Sequence, residues 1–91
     1  MSTVEVNEKI EKACVEAYEK FEKLDLPEFQ DIKEKLAFVI NSYRYDKNPV
    51  GLFEIGGQAL DILKKYKEEK PRQVAKKLIE GLEKAVAAGQ N

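Results

Sequence analysis

The sequence predicts an all-α protein that folds as an antiparallel, up-down-up-down four-helix bundle. Glu, Lys, Ala and Leu, which favour helix, dominate the composition. Apolar residues recur every three or four positions, the period of an amphipathic helix. Helix start and stop signals divide the chain into four segments, so we predict helices over residues 3–23, 27–45, 49–67 and 71–88. The short connections between them force consecutive helices to lie antiparallel and side by side.

The overall composition is typical of one folded, soluble domain over residues 1–91, with 43% hydrophobic and 36% charged residues. The net charge of −1 is unevenly distributed. Residues 1–46 carry 11 acids and 7 bases, a net of −4, whereas residues 47–91 carry 6 acids and 9 bases, a net of +3. We expect the two halves to attract each other within one bundle. The alternative is a bipolar surface that attracts a charged partner.

Capping signals mark the starts of the first two predicted helices. Ser2 with Glu5 forms a capping box for helix one. Asp25 with Glu28 forms another for helix two, and Pro27 is tolerated in its first turn. Helix one has an apolar stripe of Val6, Ile10, Ala13, Cys14, Ala17, Phe21 and Leu24. The corresponding stripe of helix two is Phe29, Ile32, Leu36, Val39, Ile40 and Tyr43.

The last two helices have comparable signals. Asn48 is a good cap for helix three and Pro49 suits its first helical position. Pro71 is expected to open helix four, and Gly89 to end it. The centre of the helix-three stripe is Leu52, Gly56, Ala59 and Leu63, flanked by Phe53, Ile55, Leu60, Ile62 and Tyr66. The apolar side of helix four is Val74, Ala75, Leu78, Ile79, Leu82, Ala85 and Val86.

The adjacent glycines of helix three need an explanation, because a glycine inside a helix costs about 1 kcal/mol relative to alanine. Gly56 lies on the apolar stripe, so we expect it to form a notch for a neighbouring helix or for a ring such as Phe21 or Phe29. Gly57 lies at the edge of the stripe and is expected to mark a bend. The wide apolar arc predicts that helix three contacts more than one neighbour; the alternative is a dimer contact through its flank.

The residue inventory argues against an enzyme or a metal protein. The chain has no histidine and one cysteine, Cys14, on the core stripe of helix one. We therefore expect a buried structural thiol, no catalytic residue, no metal and no cofactor. A single cysteine fits a reducing compartment. The opening MSTVEVNEKIEK has neither the basic lead nor the apolar run of a secretory signal, and no segment has the roughly 18 apolar residues of a membrane span. We expect a cytoplasmic protein that does not bind membranes.

The outward face of helix two is the strongest candidate for a functional surface. Phe38 and Tyr45, seven residues apart, share a face with Asn41 opposite the core stripe, while Arg44 and Asp46 lie at its rim. Either the adjoining corner covers these rings, or they form an exposed patch of the kind that protein interfaces bury. The predicted function is therefore a non-enzymatic protein-interaction module. Its aromatic rings would anchor a partner protein and its charges would orient that partner.

Two alternatives remain. Residues 64–77 carry seven bases and two acids, which is compatible with nucleic-acid binding. The bases are Lys64, Lys65, Lys67, Lys70, Arg72, Lys76 and Lys77. Against this function, only Tyr66 is interleaved with them, the whole chain is acidic, and bases are favoured at helix C-termini. The other alternative is self-association, with the helix-two aromatics or the flank of helix three buried in a symmetric dimer.

Overall fold

The periodic apolar residues fold into four α-helices in a computed structural model that describes residues 3–89. Helix α1 spans Thr3–Leu24, α2 Gln30–Asp46, α3 Val50–Glu69 and α4 Lys76–Ala88. A 3₁₀ turn at Pro27–Phe29 precedes α2. No strand occurs between residues 3 and 89. The predicted all-α, four-helix architecture is confirmed.

The four helices close into a bundle around one core. Each helix packs on the next along the chain, α1 packs on α4, and α1 also reaches α3 across the bundle. Helix α3 therefore contacts three neighbours, which accounts for its wide apolar arc. The side chains in the core come from all four helices, the 3₁₀ turn and the α3–α4 connection. Among the largest that are fully buried are Phe21, Leu36, Leu63, Val74 and Leu82. Nearly every residue of the predicted core stripes is buried or half-buried.

The α1–α2 corner differs from the prediction. Asp25 adopts a left-handed conformation, with φ of 50°, and its N–H donates to the carbonyl of Phe21 at 3.0 Å. Asp25 therefore ends α1 and does not cap α2, whose first turn has no side-chain cap. The expected capping role of Asp25 was wrong. Pro27 does take the first position of the 3₁₀ turn, as predicted. The box that Ser2 would form lies outside the described residues.

The α2–α3 corner is held by short polar side chains. The Asn48 side-chain oxygen accepts a hydrogen bond from the backbone N–H of Val50, the first residue of α3, at 3.1 Å. The N-cap position, predicted at Asn48, is Pro49, one residue later. The backbone N–H of Asn48 donates in turn to the carboxylate of Asp46 at 2.9 Å. Lys47 between them adopts a left-handed conformation, with φ of 60°. Pro49, predicted at the first helical position, was misplaced by one residue, because α3 begins at Val50.

The predicted start of α4 at residue 71 was wrong, because the helix begins at Lys76. The chain between residues 71 and 75 forms a turn and a bend. Val74 anchors this segment in the core with 1% of its surface exposed, whereas Ala75, expected on the apolar side, is exposed. The Lys67 ammonium donates to the carbonyls of Val74 at 2.7 Å and Pro71 at 3.3 Å. Burial of Val74 and these two hydrogen bonds favour the irregular loop over another helical turn.

Gly56 is the expected notch, but its occupant is α1. A Cβ at this position would lie 3.3 Å from both the Cys14 sulfur and the Ile10 side chain. The neighbour that Gly56 admits is therefore α1 itself, and neither the ring of Phe21 nor that of Phe29. Those two rings pack against each other instead, with centroids 4.8 Å apart.

Candidate functional site

The two aromatic side chains singled out on α2 are open to solvent. Phe38 has 73% of its surface exposed and Tyr45 has 92%. Leu36 and Ile40 of the same helix point into the core. Because helical side chains project around the full circumference, burying those two turns the aromatics outward. Neither the α2–α3 corner nor the first turn of α3 covers either ring.

Phe38, Asn41 and Tyr45 together define the α2 outer face. The two rings lie two helical turns, about 10 Å, apart along the axis. Asn41 is exposed between them, and its amide makes no hydrogen bond to the described part of the chain. The α2 outer face is thus a strip of two apolar rings separated by a free amide, a surface that can bury rings and form hydrogen bonds at once.

The two predicted rim residues are held by the bundle itself. The Arg44 guanidinium leans towards α1, where its Nε–H donates to the carboxylate of Glu11 at 2.9 Å. Asp46 uses one carboxylate oxygen to accept the N–H of Asn48. The structure therefore brings the three residues of the α2 outer face together. It places Arg44 to one side of them and Asp46 at the end of the helix.

Phe38 also forms one wall of a groove between α2 and α3, called here the α2–α3 groove. Its volume is about 590 Å³. Val39 and Ile55, both half-buried, contribute apolar surface from the two helices. Gly51 admits a close approach of the helices, since a Cβ there would lie 2.9 Å from a Val39 methyl. Sequence reasoning assigned Val39 to the core and missed the groove, because no single-helix pattern shows which residues meet across two helices.

The α2–α3 groove is acidic at its edges. Three carboxylates, from Asp31, Glu34 and Glu54, line it together with one ammonium, from Lys35. Asp31 and Lys35 pair at 3.2 Å. Glu34 and Glu54 are exposed and form no ion pair within residues 3–89. They belong to different helices, so a carboxylate lies on each side of the apolar floor of the groove.

The basic corner is partly occupied by contacts within the chain. Lys64 pairs with Glu83 at 2.7 Å, and this hydrogen bond raises the pKa of the lysine. Lys67 donates to loop carbonyls. Lys76 lies 3.6 Å from Glu80. The bases of the corner that are exposed and form no ion pair in the described part of the chain are Lys65, Lys70, Arg72 and Lys77.

The one aromatic residue of the corner faces inward. The Tyr66 ring packs edge-on against Phe29, with centroids 5.3 Å apart, and is half-buried. Stacking of bases on aromatic rings is a main source of affinity for single-stranded nucleic acid. The corner therefore presents positive charge without an open ring.

Cys14 is a buried thiol with no exposed surface. Its sulfur donates to the carbonyl of Leu52 at 3.5 Å, and burial raises the pKa of the thiol to about 12. The thiolate that nucleophilic catalysis requires is therefore scarce near neutral pH. No group of three or more potential metal-binding side chains occurs within residues 3–89. In the same range, no helix combines the length and apolarity that crossing a membrane requires.

Comparison of the chain with protein-family models, with curated proteins and with solved structures finds no match.

Proposed function

We propose that this protein is a small, non-enzymatic binding module that docks another protein through the α2 outer face. Phe38 and Tyr45 are the anchors, Asn41 supplies hydrogen bonds between them, and Arg44 and Asp46 orient the partner at the rim. The observation that carries this proposal is the exposure of both rings, 73% and 92%.

Exposed aromatic rings favour association, because burying them removes apolar surface from water. Aromatic residues are enriched in the centres of protein interfaces and among the residues that contribute most binding energy. Rings at positions i and i+7 also match the anchor spacing of helices that bind in grooves. The polar Asn41 side chain between them is hydrated when no partner is bound, which suits an interface that forms and dissociates.

Arg44 supports the proposal through its fixed position. A guanidinium has five N–H donors, and the contact with Glu11 engages the one on Nε. The side chain is still 56% exposed. The ion pair restricts its rotamers before binding, so less conformational entropy is lost when a partner's acceptor is engaged.

We also propose a cytoplasmic location, because a single cysteine, which cannot form a disulfide within the chain, fits a reducing compartment. Nucleic-acid binding by the basic corner is less well supported, because three of its bases contact the chain itself and Tyr66 packs inward. Self-association would use the α2 outer face as well, with a second copy as the partner.

Site-specific photo-crosslinking in extracts of the native host tests the proposal. Benzoylphenylalanine replaces Phe38 in one variant, Tyr45 in a second and the exposed Glu19 of α1 in a control. We expect positions 38 and 45 to give the same discrete adduct and position 19 to give none. Adducts that are equal at all three positions would refute docking through the α2 outer face.

The mass of the adduct identifies the type of partner. An adduct of twice the mass of the chain indicates a second copy, and light scattering across concentration would then show the dimer. Titration with single-stranded and duplex oligonucleotides at low salt addresses the basic corner. Binding that weakens as salt is raised would favour the nucleic-acid alternative instead.

A further inference from the structure

We propose that the α2–α3 groove receives a basic amphipathic segment of the partner, in which a bulky apolar side chain is flanked by Lys or Arg. This inference rests on the proposed function, because Phe38 belongs to both surfaces. It adds the chemistry of the partner, which the exposure of the rings alone does not specify.

The apolar part of the α2–α3 groove suits one large side chain. Phe38 forms an exposed wall, while Val39 and Ile55 form a half-buried floor. The absence of a side chain at Gly51 lets α3 approach Val39 closely at the floor of the groove. On α2 the groove extends from Asp31 to Val39, or about 12 Å, the length of two helical turns. A leucine or an aromatic residue on one face of a helix fits such a site.

The negative charge of the groove determines which residues can flank the partner's apolar side chain. Its edges carry three carboxylates and one ammonium, a net of −2. Because Asp31 and Lys35 neutralise each other, the unbalanced charges are Glu34 on one wall and Glu54 on the other. Bases placed on both sides of an apolar residue meet these two carboxylates, whereas acids would be repelled by both.

The two helices that form the groove carry a net charge of only −1, since α2 has three acids and three bases and α3 has four acids and three bases. The attraction for a basic segment therefore comes from Glu34 and Glu54 within the groove. The charged groups are exposed, so this attraction should weaken as ionic strength rises.

Fluorescence anisotropy with labelled model peptides tests the inference. The probe is an amphipathic Leu/Lys peptide of about 14 residues, or four helical turns. Its counterpart has Glu in place of every Lys. We expect the Leu/Lys peptide to bind and the Leu/Glu peptide to bind about tenfold more weakly or not at all. Salt should lower the affinity for the first peptide.

Two sets of variants locate the binding site. Phe38→Ala should weaken binding of the Leu/Lys peptide about tenfold. The double variant Glu34→Lys/Glu54→Lys should weaken it about fivefold or more, since each exposed charge contributes modestly. A control, Glu19→Lys/Glu68→Lys, changes the net charge by the same +4 at exposed sites outside the groove. It should change the affinity about twofold or less.

The outcomes separate this inference from the docking function. Equal binding of both peptides, lost in Phe38→Ala, would overturn the basic partner and leave docking through the α2 outer face intact. Equal weakening by the two charge-reversal variants would show attraction to net charge alone and would overturn the groove. If neither peptide binds, the inference fails, and crosslinking at positions 38 and 45 still decides the docking function.

A second copy of the chain is the remaining occupant. Sedimentation of the purified chain that shows a dimer, together with its loss in Phe38→Ala, would identify this occupant and overturn the basic partner.

Discussion

Replacing Phe38 by alanine should leave the stability of the fold almost unchanged. Full burial of such a side chain is worth about 1.5–3 kcal/mol. With 73% of its surface exposed, Phe38 contributes about a quarter of that, roughly 0.5 kcal/mol. Alanine is also the better helix former and returns up to about 0.5 kcal/mol. We therefore expect the free energy of unfolding to change by about 0.5 kcal/mol or less.

Leu36→Ala on the same helix is the matched comparison. Leu36 is fully buried, so its truncation should cost about 2–5 kcal/mol. Urea unfolding followed by far-UV circular dichroism measures both variants against the parent chain. Should Leu36→Ala fail to fold, Ile40→Val takes its place, with an expected loss of about 0.5–1.5 kcal/mol.

The two variants should rank in the opposite order for partner binding, with Phe38→Ala the more damaging. Phe38→Ala should lose the crosslink formed at position 45, whereas the core variant should retain it at urea concentrations where it stays folded. A loss of several kcal/mol in Phe38→Ala would place the ring in the core and refute the α2 outer face as a docking surface. Undiminished capture by a stable Phe38→Ala would show that the ring does not bind the partner.

The remaining predictions concern the packing and polar contacts of the bundle. Gly57→Ala should raise the free energy of unfolding by about 0.5–1 kcal/mol, because the added Cβ meets nothing within 4 Å. Gly56→Leu should lower it by about 1–3 kcal/mol, because the larger side chain displaces α1. Urea unfolding curves measure both changes. Burial raises the pKa of Cys14 from 9.0 to about 12, so the thiol loses its proton at lower pH in the unfolded state than in the folded state. The free energy of unfolding should therefore fall as pH rises from 9.0 to about 12, and it should fall less steeply in Cys14→Ala. Lys67→Met removes the 2.7 Å hydrogen bond to Val74 and should cost about 1 kcal/mol, with faster amide exchange in the α3–α4 loop.

Each of these expectations has a contrary result. Equal effects at the two glycines would show that α1 does not limit the space at Gly56. Identical pH curves with and without the thiol would show that Cys14 ionises as easily folded as unfolded. An unchanged loop in Lys67→Met would show that burial of Val74 alone holds the segment.

The candidate site could be predicted only in part. The i, i+7 spacing of Phe38 and Tyr45 opposite the core stripe was visible in the sequence, and it placed both rings on one face. Their exposure was left open, because an outward side chain can still be covered by a neighbouring loop. The α2–α3 groove was missed, since Val39 and Gly51 meet only when the two helices pack.

The helix ends could likewise be predicted only in part. The role of Asn48 at the start of α3 could be predicted to within one residue, because its hydrogen bond joins residues two positions apart. Asp25 was misassigned, since a residue of this type can either begin a helix or end one in a left-handed conformation. The start of α4 was misplaced by the signal at Pro71, because the loop is held by Val74 in the core and by Lys67 from the preceding helix.

The sequence by itself determined the number of helices, their core stripes and which residues lie opposite those stripes, because helical periodicity is a property of each segment alone. The tertiary structure decided the neighbour at Gly56, the path of the α3–α4 loop and the acidic groove beside Phe38. Each of these depends on a distance between two elements, and the pattern of a single helix does not specify that distance.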